Sequence, residues 1–311
     1  MDKLSAMRTF CSVIDSGSFS RAADALGLPK ARVSQRISDL ESDLGVRLLQ
    51  RTTRAMNLTV DGAAYAERCR QILDDVDELD ARMRGTVSSP QGHIRVEALT
   101  SISRWVLAPR LNEFRTRYPL IQLRLGIHDR VRNLVEDGID CAIRGGHLED
   151  SSLIARHVVD VAFGLYASPD YLHRFGTLNE PAVLERANLL GWFNSDSNTA
   201  KAWHLYSAGA EYCLKNLPSL VFDDPESAVA AAIQGAGITL APPFIVEQHV
   251  KQRKLIPILP AWQFQTQPIH IVYPTSRHLS ARVRAFVEWA NEVMSNDAKL
   301  HLSTMDLATM D

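Results

Sequence analysis

Between Leu28 and Arg36 the chain reads LPKARVSQR. Lys30, Arg32 and Arg36 fall within seven residues, with no acid among them. Arginine can grip O6 and N7 of guanine, and glutamine can grip N6 and N7 of adenine. Cations and a glutamine on one short helix therefore suit phosphates and base edges, although the same residues would also suit an ordinary solvated helix face. A second acid-free stretch, Leu44 to Leu58, adds Arg47, Arg51 and Arg54. Net charge over the 311 residues is −2, but residues 1–58 hold nine Lys/Arg against six Asp/Glu, and residues 59–90 four against seven. A local basic patch, not the overall charge, makes a nucleic-acid footprint.

Other groupings of reactive residues have simpler readings. Asp223 and Asp224 resemble a carboxylate pair for acid–base work, but Pro225 and Glu226 follow, so Asp224 reads as a helix cap. The glycines of QGAGI follow a helix and precede a strand, the reverse of the order in a dinucleotide-binding turn, and read as a helix C-cap. Ten histidines are scattered without metal-ligand spacing, and no H-E-x-x-H, G-x-S-x-G or phosphate-loop motif occurs. The expectation is a non-enzyme without metal or cofactor. Cys11, Cys69, Cys141 and Cys213 lie far apart, as reduced thiols of a cytoplasmic protein do. A Cys141–Cys213 redox pair is the alternative. No apolar run approaches the ~20 residues of a membrane span.

The elements that must carry these residues follow from periodicity. Leu4, Met7, Cys11 and Ile14 mark one face of a first helix. Ser20 is read as the cap of a short second helix that buries Ala22, Ala23 and Leu26 and carries Arg21. Gly27 makes the turn. A third helix from about Pro29 buries Val33, Ile37, Leu40 and Leu44 and leaves Lys30, Arg32, Ser34, Gln35 and Arg36 off the buried stripe. This is a helix-turn-helix arrangement, whose second helix enters the major groove. The residues around Arg51 and Arg54 read as a hairpin wing that grips flanking backbone. Thr59 caps a long helix on which Tyr65, Cys69, Ile72, Val76, Leu79 and Met83 alternate in steps of four and three, a heptad seam that asks for a partner helix. Two recognition helices in a two-fold dimer would read an imperfect palindrome in double-stranded DNA.

GTVSSPQG, from Gly85, is a linker. Beyond it strands and helices alternate, with strands near 153–158, 161–167, 188–193, 219–222, 238–241, 255–259 and 269–273. That pattern predicts an α/β domain with a largely parallel sheet, divided into two lobes. The chain past Asn296 is expected to fray.

Three blocks, FCSVIDSGSFSRAADALGL, VSQRISDLESDLGVRLLQRTTR and LTVDGAAYAERCRQIL, resemble the N-terminal half of LysR-type transcriptional regulators. GHIRVEAL, FRTRYPLIQLRL, VEDGIDCAIRGG and YPTSRHLSARVRAFVEW extend the resemblance over nearly the whole chain, and are most similar to the CrgA-like branch. The resemblance implies an α+β multidomain protein. A winged helix-turn-helix domain would span 1–58 and a coiled-coil dimerisation helix with hinge 59–91. A two-lobed effector domain of the periplasmic-binding-protein type would span 92–311, with lobe I about 92–166 and 268–300 and lobe II about 167–267. It also implies DNA binding through Ser20, Arg21, Lys30, Arg32, Ser34, Gln35, Arg36, Arg51 and Arg54, a homo-oligomer built as a dimer of dimers, and RNA polymerase as a further partner. Thr100 and Ser101 correspond to the family's ligand-contacting turn. His128, Arg144 and Asn194 follow strand ends that could face the same cleft, and Arg144 suits a carboxylate. A small organic or aromatic acid is the expected effector. A redox-responsive regulator, or an enzyme using the α/β domain, are the alternatives. Pro29 and Arg32 depart from the family's usual small or hydroxyl residues at these places, so the family's operator sequence is not carried over.

Overall fold

The computed structural model describes residues 2–51, 56–83, 89–130, 132–146, 148, 153–192, 203–275 and 279–310. Contacts divide the chain into two compact units, one of residues 1–94 with 120–123 and 280–282, the other of the remainder.

The first unit opens with α1 (Lys3–Ser16), α2 (Phe19–Leu26) and α3 (Lys30–Leu44). Phe10, Val13, Ala22, Val33, Ile37 and Leu40 are buried together. Two alanines on α2 let the neighbouring helices approach closely. Gly27 has φ 62°, the left-handed region that lets α2 stop and the chain turn at once. The N-cap of α2 is Ser18, not Ser20. Ser20 instead lies exposed in the first turn. Pro29 stands at the N-cap of α3 without a side-chain cap.

The strands β1 (Leu49–Arg51) and β2 (Met56–Leu58) pair antiparallel as the wing. Glu41 pins it to α3 by accepting from the Leu48 and Leu49 amides at 2.8 and 3.0 Å. The long helix α4 (Val60–Met83) follows. Thr59 Oγ1 accepts from Gly62 N at 2.8 Å, as an N-cap does. A Cβ on Gly62 would stand 1.9 Å from Leu48 O, so only glycine lets α4 pass the wing.

The heptad seam of α4 divides into two parts. Tyr65 and Cys69 pack against α1 in the core of their own unit, with Cys69 fully buried. Ile72, Leu79 and Met83 are exposed, Met83 by 77%. Only this C-terminal half has the free apolar face expected of all six positions.

In the second unit, β3 (Gly92–Ala98), whose first residues belong to the first unit, leads into α5 (Thr100–Ile102). The helix continues through a π turn (Ser103–Leu107) and a 3-10 turn (Ala108–Arg110) into α6 (Leu111–Arg117). Pro109 has no N–H to give, and the widened turn before it absorbs the missing bond. Ser103 is therefore inside the helix and fully buried. There follow β4 (Ile121–Ile127), α7 (Leu134–Asp137), β5 (Cys141–Gly145) and β6 (Leu153–Val161). Next come β7 (Gly164–Ala167), α8 (Pro169–Phe175), β8 (Leu189–Trp192), β9 (His204–Ser207) and β10 (Ala210–Cys213). The chain ends with β11 (Leu220–Phe222), α9 (Pro225–Ile233), β12 (Ile238–Ala241), α10 (Pro243–Lys251), β13 (Ile256–Ile258), β14 (Gln267–Pro274), α11 (Ala281–Ser295) and α12 (Thr304–Ala308).

Two five-stranded sheets form the two lobes, ordered β4-β3-β5-β14-β6 and β11-β8-β12-β7-β13. Both are mixed rather than largely parallel. β3 runs parallel to β5, but β14 is antiparallel to β5 and β6. Likewise β8, β11 and β12 are parallel, while β7 runs antiparallel to both of its neighbours, β12 and β13. The chain crosses to the second sheet between β6 and β7, a few residues before the expected boundary near 167. The hairpin β9–β10 was not anticipated. Nor was the order of the tail, where Leu300 and Leu307 are buried and Ser303 forms a capping box with Asp306.

Candidate functional site

The exposed face of α3 presents Lys30, Arg32 and Gln35, while Val33, Ile37 and Leu40 hold the opposite face in the core. Among the described residues, no carboxylate pairs with Arg21, Lys30 or Arg32. By contrast, Arg8 is taken by Asp77 and Arg70 by Asp15, each tying α1 to α4. Among the described residues, the cations left for an anionic partner thus include those at the start of α3 and on α2, and Arg47 just before the wing. Gln35 is not idle: its Nε2 donates to Asp39 Oδ1, one turn on, at 2.7 Å. Arg36 is half-buried and its Nη1 donates to Thr9 Oγ1 at 3.3 Å, so it braces α3 on α1. Ser34 is half-buried. Arg51 lies on β1, and Arg54 lies outside the described residues.

The effector candidates gather at the carboxyl ends of β3, β4 and β5. Thr100 opens α5, and Ser101 beside it is buried. His128 follows β4 and its amide donates to Ala98 O at 3.2 Å. Its Nε2 faces Glu97 Oε1 at 3.1 Å, with Arg132 Nη1 3.6 Å from the same oxygen. Glu97 is buried, and these two cationic or polar neighbours compensate its charge. Arg144, at the end of β5, donates to the Arg132 carbonyl. Its guanidinium thus has a backbone partner rather than a vacant fork. Asn194 lies outside the described residues.

Sequence reasoning passed over the acids of this cleft. Asp129 Oδ1 accepts from Thr100 N at 3.0 Å, so a carboxylate of the chain already occupies the first turn of α5. Burial pushes the Asp129 carboxyl up, and the charge of Asp224 from the other lobe adds to that, against the Thr100 hydrogen bonds that favour the anion. Asp224 caps α9, as expected, accepting from Glu226 N at 3.2 Å and Ser227 N at 3.0 Å. Glu226 accepts from Trp105 Nε1 at 3.3 Å and pairs with Arg104. Arg104 and Trp105 sit on the helix after Thr100, and Glu226 on α9 of the other lobe, so these contacts join the lobes across the cleft. The alternative of a Cys141–Cys213 pair is not formed: both are free, Cys141 buried on β5 and Cys213 exposed on β10.

Comparisons with known proteins agree with this organisation. Residues 4–63 match the family model of the bacterial regulatory helix-turn-helix protein, lysR family, and residues 88–295 match the LysR substrate binding domain. The chain belongs to the LysR family. It is 51% identical over 308 residues to the HTH-type transcriptional repressor PA14_22550 of Pseudomonas aeruginosa, covering 99% of this chain and 97% of that protein. It is 34% identical to the HTH-type transcriptional regulator CrgA of Neisseria meningitidis, covering 94% and 97%. The solved structure of CrgA superposes with a TM-score of 0.59 over 94% of this chain and 99% of that one. Full-length AphB of Vibrio cholerae superposes with a TM-score of 0.59 at 25% identity, covering 94% and 99%. This LysR-family chain is a transcriptional regulator, not an enzyme, with a helix-turn-helix domain followed by a two-lobed effector-binding domain. Among the described residues no helix is long and apolar enough to cross a membrane.

Proposed function

We propose that this LysR-family regulator binds an imperfect palindromic promoter site as a homo-oligomer in the cytoplasm and is controlled by a small polar effector received between the lobes. One observation carries the DNA reading: Lys30 and Arg32 stand exposed at the start of α3 without an internal acidic partner, where a recognition helix meets base edges. The exposed apolar residues Ile72, Leu79 and Met83 supply a surface for pairing two chains. A dimer of dimers would present four such helices, and RNA polymerase is the further partner such a complex would address.

The effector would enter beside Thr100 and Ser101, with Trp105 supplying an apolar wall. An organic or aromatic acid is the class to test first. Such an anion must take the Thr100 amide from Asp129, which has to protonate or swing aside. Binding then biases two lobe arrangements by the effector's differential affinity for them, with the Glu226 contacts to Arg104 and Trp105 among those at stake. Repression, the sense named for the relative at 51% identity, is the output to test first.

The decisive experiment is a footprint of the full-length protein on the promoter region beside its own gene, repeated with a panel of small organic acids. Protection of one imperfect palindrome, altered by one acid, is the expected result. Uniform protection of any duplex would refute sequence-specific regulation, and an unchanged footprint with every acid would refute that effector class.

A further inference from the structure

The hairpin β9–β10 sets Cys213 opposite His204 and Glu211 opposite Tyr206. Side chains of directly opposed residues, and of residues two apart along a strand, share one face. These four therefore stand together on the outer face, all of them open to solvent. The inner face sends Leu205 and Tyr212 into the core of the lobe. On the outer face Cys213 Sγ lies 3.8 Å from His204 Nε2, and His204 Nδ1 lies 3.1 Å from Glu211 Oε1. A carboxylate at Nδ1 holds the imidazole proton there and leaves Nε2 free to accept one. Nucleophile, base and orienting acid are thus in sequence.

We propose that Cys213 is a covalent modification site for soft carbon electrophiles such as enones and quinones, with His204 as its base and Glu211 as a positioning residue. An intrachain disulfide is disfavoured, because Cys11, Cys69 and Cys141 are all buried elsewhere in the chain. Addition to a carbon–carbon double bond needs no second thiol. A hollow of about 380 Å³ lies toward the hairpin turn, lined by Tyr206, Gly209, Glu211, Ala261 and Gln263 but by neither Cys213 nor His204. In the step, Nε2 of His204 takes the Cys213 proton as sulfur bonds to the β-carbon. The π pair of the double bond moves onto the carbonyl as an enolate, and the imidazolium returns the proton to the α-carbon. No group leaves, and no oxidant is used.

The test follows adduct formation on the full-length protein with N-ethylmaleimide at limiting concentration, by intact mass and peptide mapping. Cys213 should be the first site labelled, faster than a free small thiol at the same pH. His204→Ala should slow it about tenfold at pH 7, and added imidazole should restore part of the rate. Glu211→Gln should slow it less, because the imidazole loses the carboxylate that orients it, and Glu211→Asp should restore part of the loss. A merely structural role for Glu211 would leave the isosteric Gln variant at the parent rate. These residues lie on an exposed face, and thermal melts of each variant check the fold. Labelling of Cys213 no faster than the free thiol, or a rate indifferent to His204→Ala, would overturn the proposal. DNA binding is not its readout, so its failure leaves the regulatory reading intact.

Discussion

Replacing Arg32 by alanine separates base reading from general attraction to DNA. Arg32 is exposed on α3 and no carboxylate among the described residues pairs with it, so truncation removes no internal contact. Folding stability should stay within about 0.5 kcal/mol of the parent, as for other surface changes. A good bidentate arginine–guanine contact discriminates by about 1–3 kcal/mol. At about 1.4 kcal/mol per tenfold, the loss is roughly fivefold to 150-fold in operator affinity for each half-site. Scrambled duplex should lose much less, because phosphates and not base edges dominate there. Fluorescence anisotropy titrations of the footprinted site and a scrambled duplex, each at several salt concentrations, measure both. Arg36→Ala is the control. Its guanidinium is spent on Thr9 at 3.3 Å, so it should lower the melting temperature more than the discrimination ratio. If Arg32→Ala weakens both duplexes equally and flattens the salt dependence by about 0.9 of slope, Arg32 is a phosphate contact and the assignment of base reading to it is wrong.

Three further outcomes follow from the geometry. Because the folded-state Asp129 carboxyl is raised above its ordinary value, the native chain holds that proton more tightly than the unfolded chain. The wild type therefore loses stability as pH rises through the folded value, and the cost is fully present above it. Asp129→Asn should melt higher at pH 7, with the difference vanishing below the ordinary carboxylate range; an equal gain at all pH values would show that charge is not the cause. Asp224→Ala removes the cap of α9 and should cost about 1 kcal/mol, more when made in Asp129→Asn, where no repulsion remains to be relieved; a double-mutant cycle in urea reads the coupling, and strict additivity would deny it. Leu40 is fully buried between α3 and its neighbours, so Leu40→Ala should cost about 2–5 kcal/mol in chemical denaturation, and a loss under 1 kcal/mol would mean the core collapses around the gap.

What periodicity reveals is a face, not the neighbour that covers it, and α4 shows the difference. Tyr65, Cys69, Ile72, Val76, Leu79 and Met83 lie along one stripe, as their spacing requires, yet the same stripe packs on α1 at one end and is bare at the other. The recognition helix was legible for a related reason: Val33, Ile37 and Leu40 define the inside, so Lys30 and Arg32 must lie outside. Arg36 escaped that logic because it sits at the edge of the stripe, where a long side chain can turn back to Thr9. Local chemistry in the tail was readable, since Ser303 and Asp306 have the spacing of a capping box, and HLYSAGAEYC carries the alternation and glycine of a hairpin. Asp129 is of another kind. Its role depends on Thr100, distant in sequence, and on a charge from the second lobe. Such a residue carries no pattern of its own, because both the partner that favours its anion and the burial that opposes it arise only when strand ends converge. The helix-turn-helix half of the molecule is written in helix periodicity, whereas the cleft between the lobes is assembled by topology, which is why the buried and exposed faces of α3 were legible and the acids of the cleft were not.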